Sequence, residues 1–231
     1  ASHDLQEPLR KIEAFSDRLI TKYGDLLPDD GKMFIDRMQN AAHRMRELIN
    51  DLLSYSRITT KAKPFDPVSL QEVLEGVLSD LQMTLQDVNG RVEFENLPTF
   101  DADSMQLRQL LQNLLSNALK FRKPDVDPVI KVTAETETHK KPNGDAEEFC
   151  IIRIADNGIG FENEYKDQIF TIFKRLHGRF EYEGTGIGLA TCRKIVERHN
   201  GTIDADGVPD VGATFTVRLP MQQTAENHVD E

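Results

Sequence analysis

Positive charge is in short supply: 28 Lys and Arg stand against 39 Asp and Glu, a formal net charge of −11. Binding to nucleic acid or to anionic lipid through bulk charge needs the opposite balance, so neither is expected, and any phosphate ligand must be held locally. Long apolar runs are also missing. No stretch approaches the roughly 18 residues of a membrane span, and Ala1-Ser2-His3-Asp4 lacks the basic-then-apolar pattern of a secretory signal. A cytoplasmic chain is the expectation. There are only two cysteines, Cys150 in a strand-like run and Cys192 in a helix-like one, which suits buried reduced thiols better than a bridge and offers no metal motif. Internal repeats and low-complexity blocks are absent, as are G-x-x-x-x-G-K-[ST] and G-x-G-x-x-G; the series Gly184, Gly186, Gly188 fails the latter at Leu189. P-loop and Rossmann nucleotide sites are therefore excluded.

What is present divides the 231 residues into two patterns. Phe34, Met38, Ala41, Met45, Leu48, Leu52 and Tyr55 alternate steps of four and three, the heptad spacing of a coiled-coil seam. Leu5, Leu9, Ile12, Phe15, Leu19 and Tyr23 trace a second stripe, interrupted by Pro8, where a kink is expected. Leu27-Pro28-Asp29-Asp30-Gly31 reads as the turn between them, giving an antiparallel helical hairpin over residues 1–60. Such a hairpin cannot bury both faces of its seams alone. A second copy would complete a four-helix bundle, so a homodimer is predicted.

Residues 61–67, Lys-Ala-Lys-Pro-Phe-Asp-Pro, have linker composition, and residues 68–221 read as a mixed α/β domain. Its predicted elements are a helix from Ser69 to about Gln86, a strand Arg91–Leu97, and a helix launched by a capping box at Asp103. That helix carries Leu107, Leu110, Leu111, Leu114, Leu115 and Leu119. Strands follow at Val129–Glu137 and Glu148–Ala155 around the polar loop 140–145, then a helix Ile187–Arg198 and strands Thr202–Ala205 and Thr214–Leu219. Residues 222–231 form a polar tail expected to be disordered.

Three local groupings point to a nucleotide. Asp156-Asn157-Gly158-Ile159-Gly160 ends a strand, placing a carboxylate at a sheet edge with glycines that let backbone approach a ligand. Gly184-Thr185-Gly186-Ile187-Gly188-Leu189 precedes a helix, whose free N–H groups and dipole favour phosphate. Asn113 and Asn117 stand four apart, so both project from one helix face, with Lys120 a turn further. Taken singly these patterns occur in turns and surface helices. Their order, from Phe65 to Met221, resembles the ATP-binding half of histidine kinases, within the superfamily shared with gyrase, heat-shock chaperones and mismatch-repair ATPases.

That resemblance implies an α+β protein whose second domain is an α/β sandwich of the Bergerat type, using ATP and Mg2+. It implies that Asp156 accepts from the adenine amino group, that Asn113 coordinates the magnesium ion, and that Asn117 and Lys120 lie near the phosphates. Arg175 would contact the γ-phosphate, and Gly158, Gly160, Gly184, Thr185, Gly186, Gly188 and Leu189 would line the nucleotide, the second cluster as the base of a mobile lid. Phe170 and Phe173 match the segment between the clusters. Hydrolysing members carry Glu four residues before the metal Asn; Gln109 stands there in this chain and cannot take a proton. Transfer of the phosphoryl group is thereby favoured over hydrolysis.

His3-Asp4-Leu5-Gln6-Glu7-Pro8-Leu9-Arg10 resembles the family's phosphoacceptor box. His3 lies two residues, about 200°, from seam residue Leu5, which turns its imidazole towards solvent. The resemblance implies autophosphorylation of His3, assisted by Asp4, and passage of the phosphoryl group to an Asp of a response regulator's receiver domain, which this chain does not contain. Glu7 replaces the Thr or Asn that supports dephosphorylation in many members, so phosphatase activity is not expected. The box and Phe173-Lys174-Arg175-Leu176-His177 are similar to phytochrome-like and PAS-linked kinases, implying a sensor upstream; His3 stands almost at the first residue, so its helix is expected to begin upstream and the chain to be a fragment.

Overall fold

A computed structural model describes residues 2–60, 63–140, 146–176, 182 and 184–223, excepting the side chains of residues 2–5 and 140. The tail beyond Gln223, most of the 140–145 loop and residues 61–62 lie outside them. The chain forms two compact units, 1–57 and 58–231.

In the first unit, α1 (Ser2–Tyr23) runs through Pro8, and α2 (Asp29–Thr60) returns antiparallel to it. Cross-links between the helices descend along one as they climb the other: Gln6 donates to Asn50 at 2.5 Å, Arg46 to Glu13 at 2.6 Å and Gln39 to Asp17 at 2.6 Å. The expected turn is displaced. It spans 24–28, while Gly31 sits inside α2, because Asp29 and Asp30 put negative charge on the helix's positive end and start it directly after Pro28. Leu9, Ser16, Ile35 and Ala42 fill the space between the helices. The stripes read from the sequence turn inward only in part: Leu9 is buried and Ala41, Leu48 and Tyr55 are half-buried, whereas Ile12, Phe15, Leu19 and Tyr23 on α1 and Phe34, Met38, Met45 and Leu52 on α2 remain exposed.

The second unit is a layer of helices on a sheet. Its strands are β1 (Asp66–Ser69), β2 (Arg91–Phe94), β3 (Thr99–Ala102), β4 (Val129–Lys140), β5 (Ala146–Asp156), β6 (Thr202–Val208) and β7 (Gly212–Pro220). Among the described residues they form a two-stranded β1-β3 sheet and a five-stranded sheet in the order β2-β4-β5-β7-β6. All neighbours are antiparallel except β2 and β4. The alternation of β4, β5 and β7 places Ile130, Val132, Cys150, Ile152, Ile154, Val217 and Leu219 on one buried face. Packed on it are α5 (Ser104–Lys120) and α6 (Gly188–Arg198), with α3 (Leu70–Asp80) against α5 and the β1-β3 pair, and their apolar stripes Leu70, Leu74, Val77, Leu107, Leu110, Leu111, Leu114, Leu115, Ile195 and Val196 are buried. Two differences from expectation stand out. β1 takes in Asp66 and Pro67, read as linker, and the helix expected to reach Gln86 breaks at Leu81 into α3 and α4 (Gln82–Asp87).

Candidate functional site

Asp156 is the last residue of β5 and shares the helix-facing side with Ile154 and Ile152, so its carboxylate points under the helical layer instead of outward. Its Oδ1 accepts from Gly158 N at 2.9 Å and Ala213 N at 3.3 Å; Oδ2 receives no hydrogen bond from a described residue. Burial raises the Asp156 pKa above its ordinary 3.8, opposed by those two backbone bonds and by the charge of Lys123. The turn after it is held by backbone from three sides. Phe121 O accepts from Ile159 N at 2.9 Å, and a Cβ on Gly158 would come within 2.5 Å of that same oxygen. Ile159 O accepts from Asp210 N at 2.8 Å, and Gly160, at φ +64°, leaves no room for a Cβ beside Val208 O, 2.1 Å away.

Helix α5 supplies the other wall. Asp103 caps its start, accepting from Met105 N at 3.1 Å and Gln106 N at 3.2 Å, and the leucine stripe fixes its roll against the core. That roll brings Asn113 to the start of α6, where its Nδ2 donates to Gly188 O at 3.2 Å, leaving the amide oxygen as an available ligand. Beneath Asn113 lies Cys192, fully buried; desolvation pushes both its thiol and that of Cys150 up to about 12, so each stays protonated. At the helix end, Lys120 Nζ sits 4.4 Å from the Phe121 ring centroid and would meet a Cβ on Gly184 at 2.8 Å. The second glycine cluster therefore passes over the end of α5.

The segment between the clusters closes onto the same place. Phe173 N donates to Gly186 O at 2.9 Å, with Phe173 itself at φ +64° and exposed, while Phe170 is buried against Phe215 at 6.4 Å between ring centroids. Arg175 Nη1 donates to Gly184 O at 2.9 Å and Nη2 to Tyr182 O. Thr185 Oγ1 accepts from Ile187 N at 3.4 Å, and α6 begins at Gly188 after Ile187, whose side chain makes no capping bond. Asn113, Lys120, Asp156, Gly158, Gly160, Arg175, Gly184, Thr185, Gly186, Gly188 and Leu189 thus gather around the ends of α5, β5 and α6, with Asn117 half-buried between Asn113 and Lys120. His3 and Asp4 are on α1, and their side chains lie outside the described residues.

Two residues with no individual role assigned from the sequence support the Asp156 turn. Asn157 Oδ1 accepts from Val129 N at 2.9 Å and its Nδ2 donates to Asp127 O at 3.0 Å, tying the Asp156 turn to the start of β4. Gly212, at φ +149°, would push a Cβ to 1.9 Å from Asp156 O, so only glycine lets β7 bring Ala213 N to the carboxylate. A glycine opening a strand pattern was the available signal.

Residues 102–223 match the family described as histidine kinase-, DNA gyrase B-, and HSP90-like ATPase. The chain belongs to that family. Residues 1–61 match the His Kinase A phospho-acceptor domain, and the two domains together set the chain among the sensor histidine kinases. It is 36% identical over 221 residues to phytochrome-like protein Cph1 of Synechocystis and 38% identical over 221 residues to cyanobacterial phytochrome A of Nostoc, which places it in the phytochrome-like subgroup. These alignments take in 96% of this chain and 28% of each relative, so the chain spans about a quarter of the length of the curated relatives it matches. In fold it is similar to full-length ShkA, solved in complex with AMPPNP, with a TM-score of 0.67, 22% identity, and coverage of 97% of this chain and 45% of that one. It is likewise similar to the Acinetobacter baumannii histidine kinase AdeS, with a TM-score of 0.64, 21% identity, and coverage of 95% and 98%. No helix among the described residues is long and apolar enough to cross a membrane.

Proposed function

We propose that this chain is the catalytic portion of a protein-histidine kinase, which moves the γ-phosphoryl group of ATP to His3 and then to an Asp of a response regulator's receiver domain. The observation that carries this reading is the convergence of Asp156, Asn113, Lys120 and the glycine cluster Gly184–Gly188 on one site, in a chain whose first 61 residues match a phospho-acceptor domain. With Oδ1 held by two backbone N–H groups, Asp156 Oδ2 is left to accept the adenine amino group. The start of α6 and Lys120 suit the phosphates. Arg175, on the backbone of Tyr182 and Gly184, stands where it can turn to the γ-phosphate.

The donor set also suits Mg2+. Asn113 Oδ1 is a hard-oxygen donor of the kind magnesium takes, and phosphate and water would complete the ion's shell. When bound, it would supply charge neutralisation on the phosphate oxygens. In the transfer, a ring nitrogen of His3 gives its lone pair to the γ-phosphorus as the bond to the β-phosphate oxygen breaks, and ADP leaves with that electron pair. Asp4 holds the proton on the other ring nitrogen and stabilises the positive charge that develops. Lys120 and Arg175 stabilise the transferring group.

The exposed stripes on α1 and α2 support a homodimer, in which two hairpins close a four-helix bundle. An upstream light or small-molecule sensor and a cytoplasmic location complete the proposal. The test is incubation of the full-length protein with γ-labelled ATP and Mg2+: acid-labile label on the chain that is lost in His3→Ala is expected. Nucleotide binding with no phosphoprotein would leave a scaffold, and rapid phosphate release with no phosphoprotein an ATPase; either result refutes the proposal.

A further inference from the structure

The residues that lead from α2 into β1 are bonded to the ATP-binding unit, at the ends of the two helices that frame its site. Ile58 O, one of the carbonyls left over at the end of α2, accepts from the buried Gln106 Nε2 at 2.8 Å. The Lys63 backbone is gripped on both sides, its N–H donating to Asp103 Oδ2 at 3.0 Å and its carbonyl accepting from Arg198 Nη2 at 2.6 Å. Phe65 lies between the Arg198 guanidinium, 4.4 Å from its centroid, and the His199 ring, at 4.8 Å. Arg198 Nη1 reaches Gln106 Oε1 at 3.5 Å and Asp103 Oδ2 at 4.0 Å, and the Arg198 and Asp103 side chains are only 13% and 3% exposed. This is a built polar cluster, and neither the fold's core nor the nucleotide site accounts for its grip on the connecting chain.

Its place in the fold gives it a role. Asp103 and Gln106 open α5, whose later turns carry Asn113 and Lys120; Arg198 closes α6, whose first turn follows the Gly184–Gly188 cluster. Asp103 and Asn113 are ten residues apart on α5, about 15 Å along the axis, so the cluster touches none of the nucleotide groups. We propose that Arg198, with Asp103 and Gln106, is a positioning group for phosphotransfer: it holds the chain ahead of β1 at Ile58 and Lys63 and so limits the range over which the ATP-binding unit carries its nucleotide. The inference rests on the kinase reading above. Opening the clamp would release the chain at Ile58 and Lys63, spreading the nucleotide over a larger volume and lowering its effective concentration at the phosphoacceptor.

The experiment uses the full-length dimer and measures autophosphorylation at saturating ATP beside the Kd for an ATP analogue. Arg198→Ala is expected to slow the saturated rate on the order of tenfold while leaving the Kd within about twofold. Arg198→Lys, which keeps one donor for Lys63 O, restores most of the rate. Gln106→Met removes the Ile58 contact at little cost in helix propensity and slows the rate in the same way, which keeps the test sharp if Arg198→Ala fails to fold. Amide exchange at Lys63 should accelerate in each slowed variant. A saturated rate equal to or above wild type in Gln106→Met, or a loss matched by weaker nucleotide binding, overturns the clamp. A wild-type protein that takes no label overturns clamp and kinase reading together, whereas labelled wild type with unaffected variants overturns the clamp alone.

Discussion

Replacing Asp156 with Asn should invert one hydrogen bond and leave the rest of the site standing. In the native site Oδ1 accepts from both Gly158 N and Ala213 N. An asparagine at this position must keep its only oxygen facing those two donors, which forces its NH2 group into the place of Oδ2, where a donor meets the donor on adenine. Losing a hydrogen bond to a charged acceptor costs about 1.5–3 kcal/mol, so ATP affinity should fall by roughly ten- to 150-fold. Guanine carries a carbonyl acceptor in place of that amino group, so the same change should narrow the preference for ATP over GTP by at least the ATP loss. Stability should move the other way or not at all. Burial raises the Asp156 pKa, so the native state binds more protons than the unfolded chain above pH 3.8. Stability from this group therefore falls as pH rises through the folded pKa, and at neutral pH the charged carboxylate is a net cost that Asn removes. Asp156→Asn should melt at or above the wild-type temperature while binding ATP poorly, measured by calorimetry with both nucleotides and by thermal unfolding. An ATP affinity within about threefold of wild type, or an unchanged ratio between ATP and GTP, would refute the geometry.

Three further outcomes follow from other parts of the structure. Gly212→Ala forces a Cβ to 1.9 Å from Asp156 O and should cost about 1–3 kcal/mol in urea unfolding while weakening nucleotide binding, because Ala213 N is displaced; an unchanged midpoint contradicts this. Burial lowers the His199 pKa below 6.5, where the neutral ring accepts from Asp103 N at 3.1 Å and donates to Ile195 O at 2.7 Å. Stability from this site should be complete above pH 6.5 and decline as pH falls through the folded pKa, a slope that His199→Gln should remove from the melting profile. Met38→Glu places a charge in the exposed stripe of α2 and should convert the proposed dimer to monomer in light scattering; a wild-type chain that is already monomeric, or a variant that stays dimeric, counts against the four-helix bundle.

How much of this was legible in the sequence depended on how far apart the interacting residues lie. The leucine stripe of α5 and the paired glycine clusters are local patterns, and their elements formed where expected. The heptad on α2 was readable as a seam, but a single chain uses the neighbouring positions Ile35 and Ala42 to meet α1, and nothing in one sequence says which of two adjacent apolar stripes goes inward. β1 and β3 were missed because each is four residues long, Pro67 lies in one of them, and their pairing joins positions thirty or more residues apart. The break at Leu81 carries no Gly or Pro, and the apolar period runs straight across it.

The same rule separates the parts of the site. The groups expected to touch nucleotide sit in contiguous motifs, because a glycine turn or an i, i+4 pair is built by local geometry. The groups that orient them are spread along the chain: Asp156 depends on Ala213, and Lys63 depends on Asp103 and on Arg198, 135 residues away. None of those partners is recognisable by residue type, since a backbone N–H or an ordinary arginine acquires its role only from the fold. The decisive comparison is therefore between Asp156→Asn, which should weaken nucleotide recognition with the fold intact, and Arg198→Ala, which should leave recognition intact and slow transfer. If both variants lost nucleotide binding in parallel, the division between a local binding motif and a distant positioning cluster would fail.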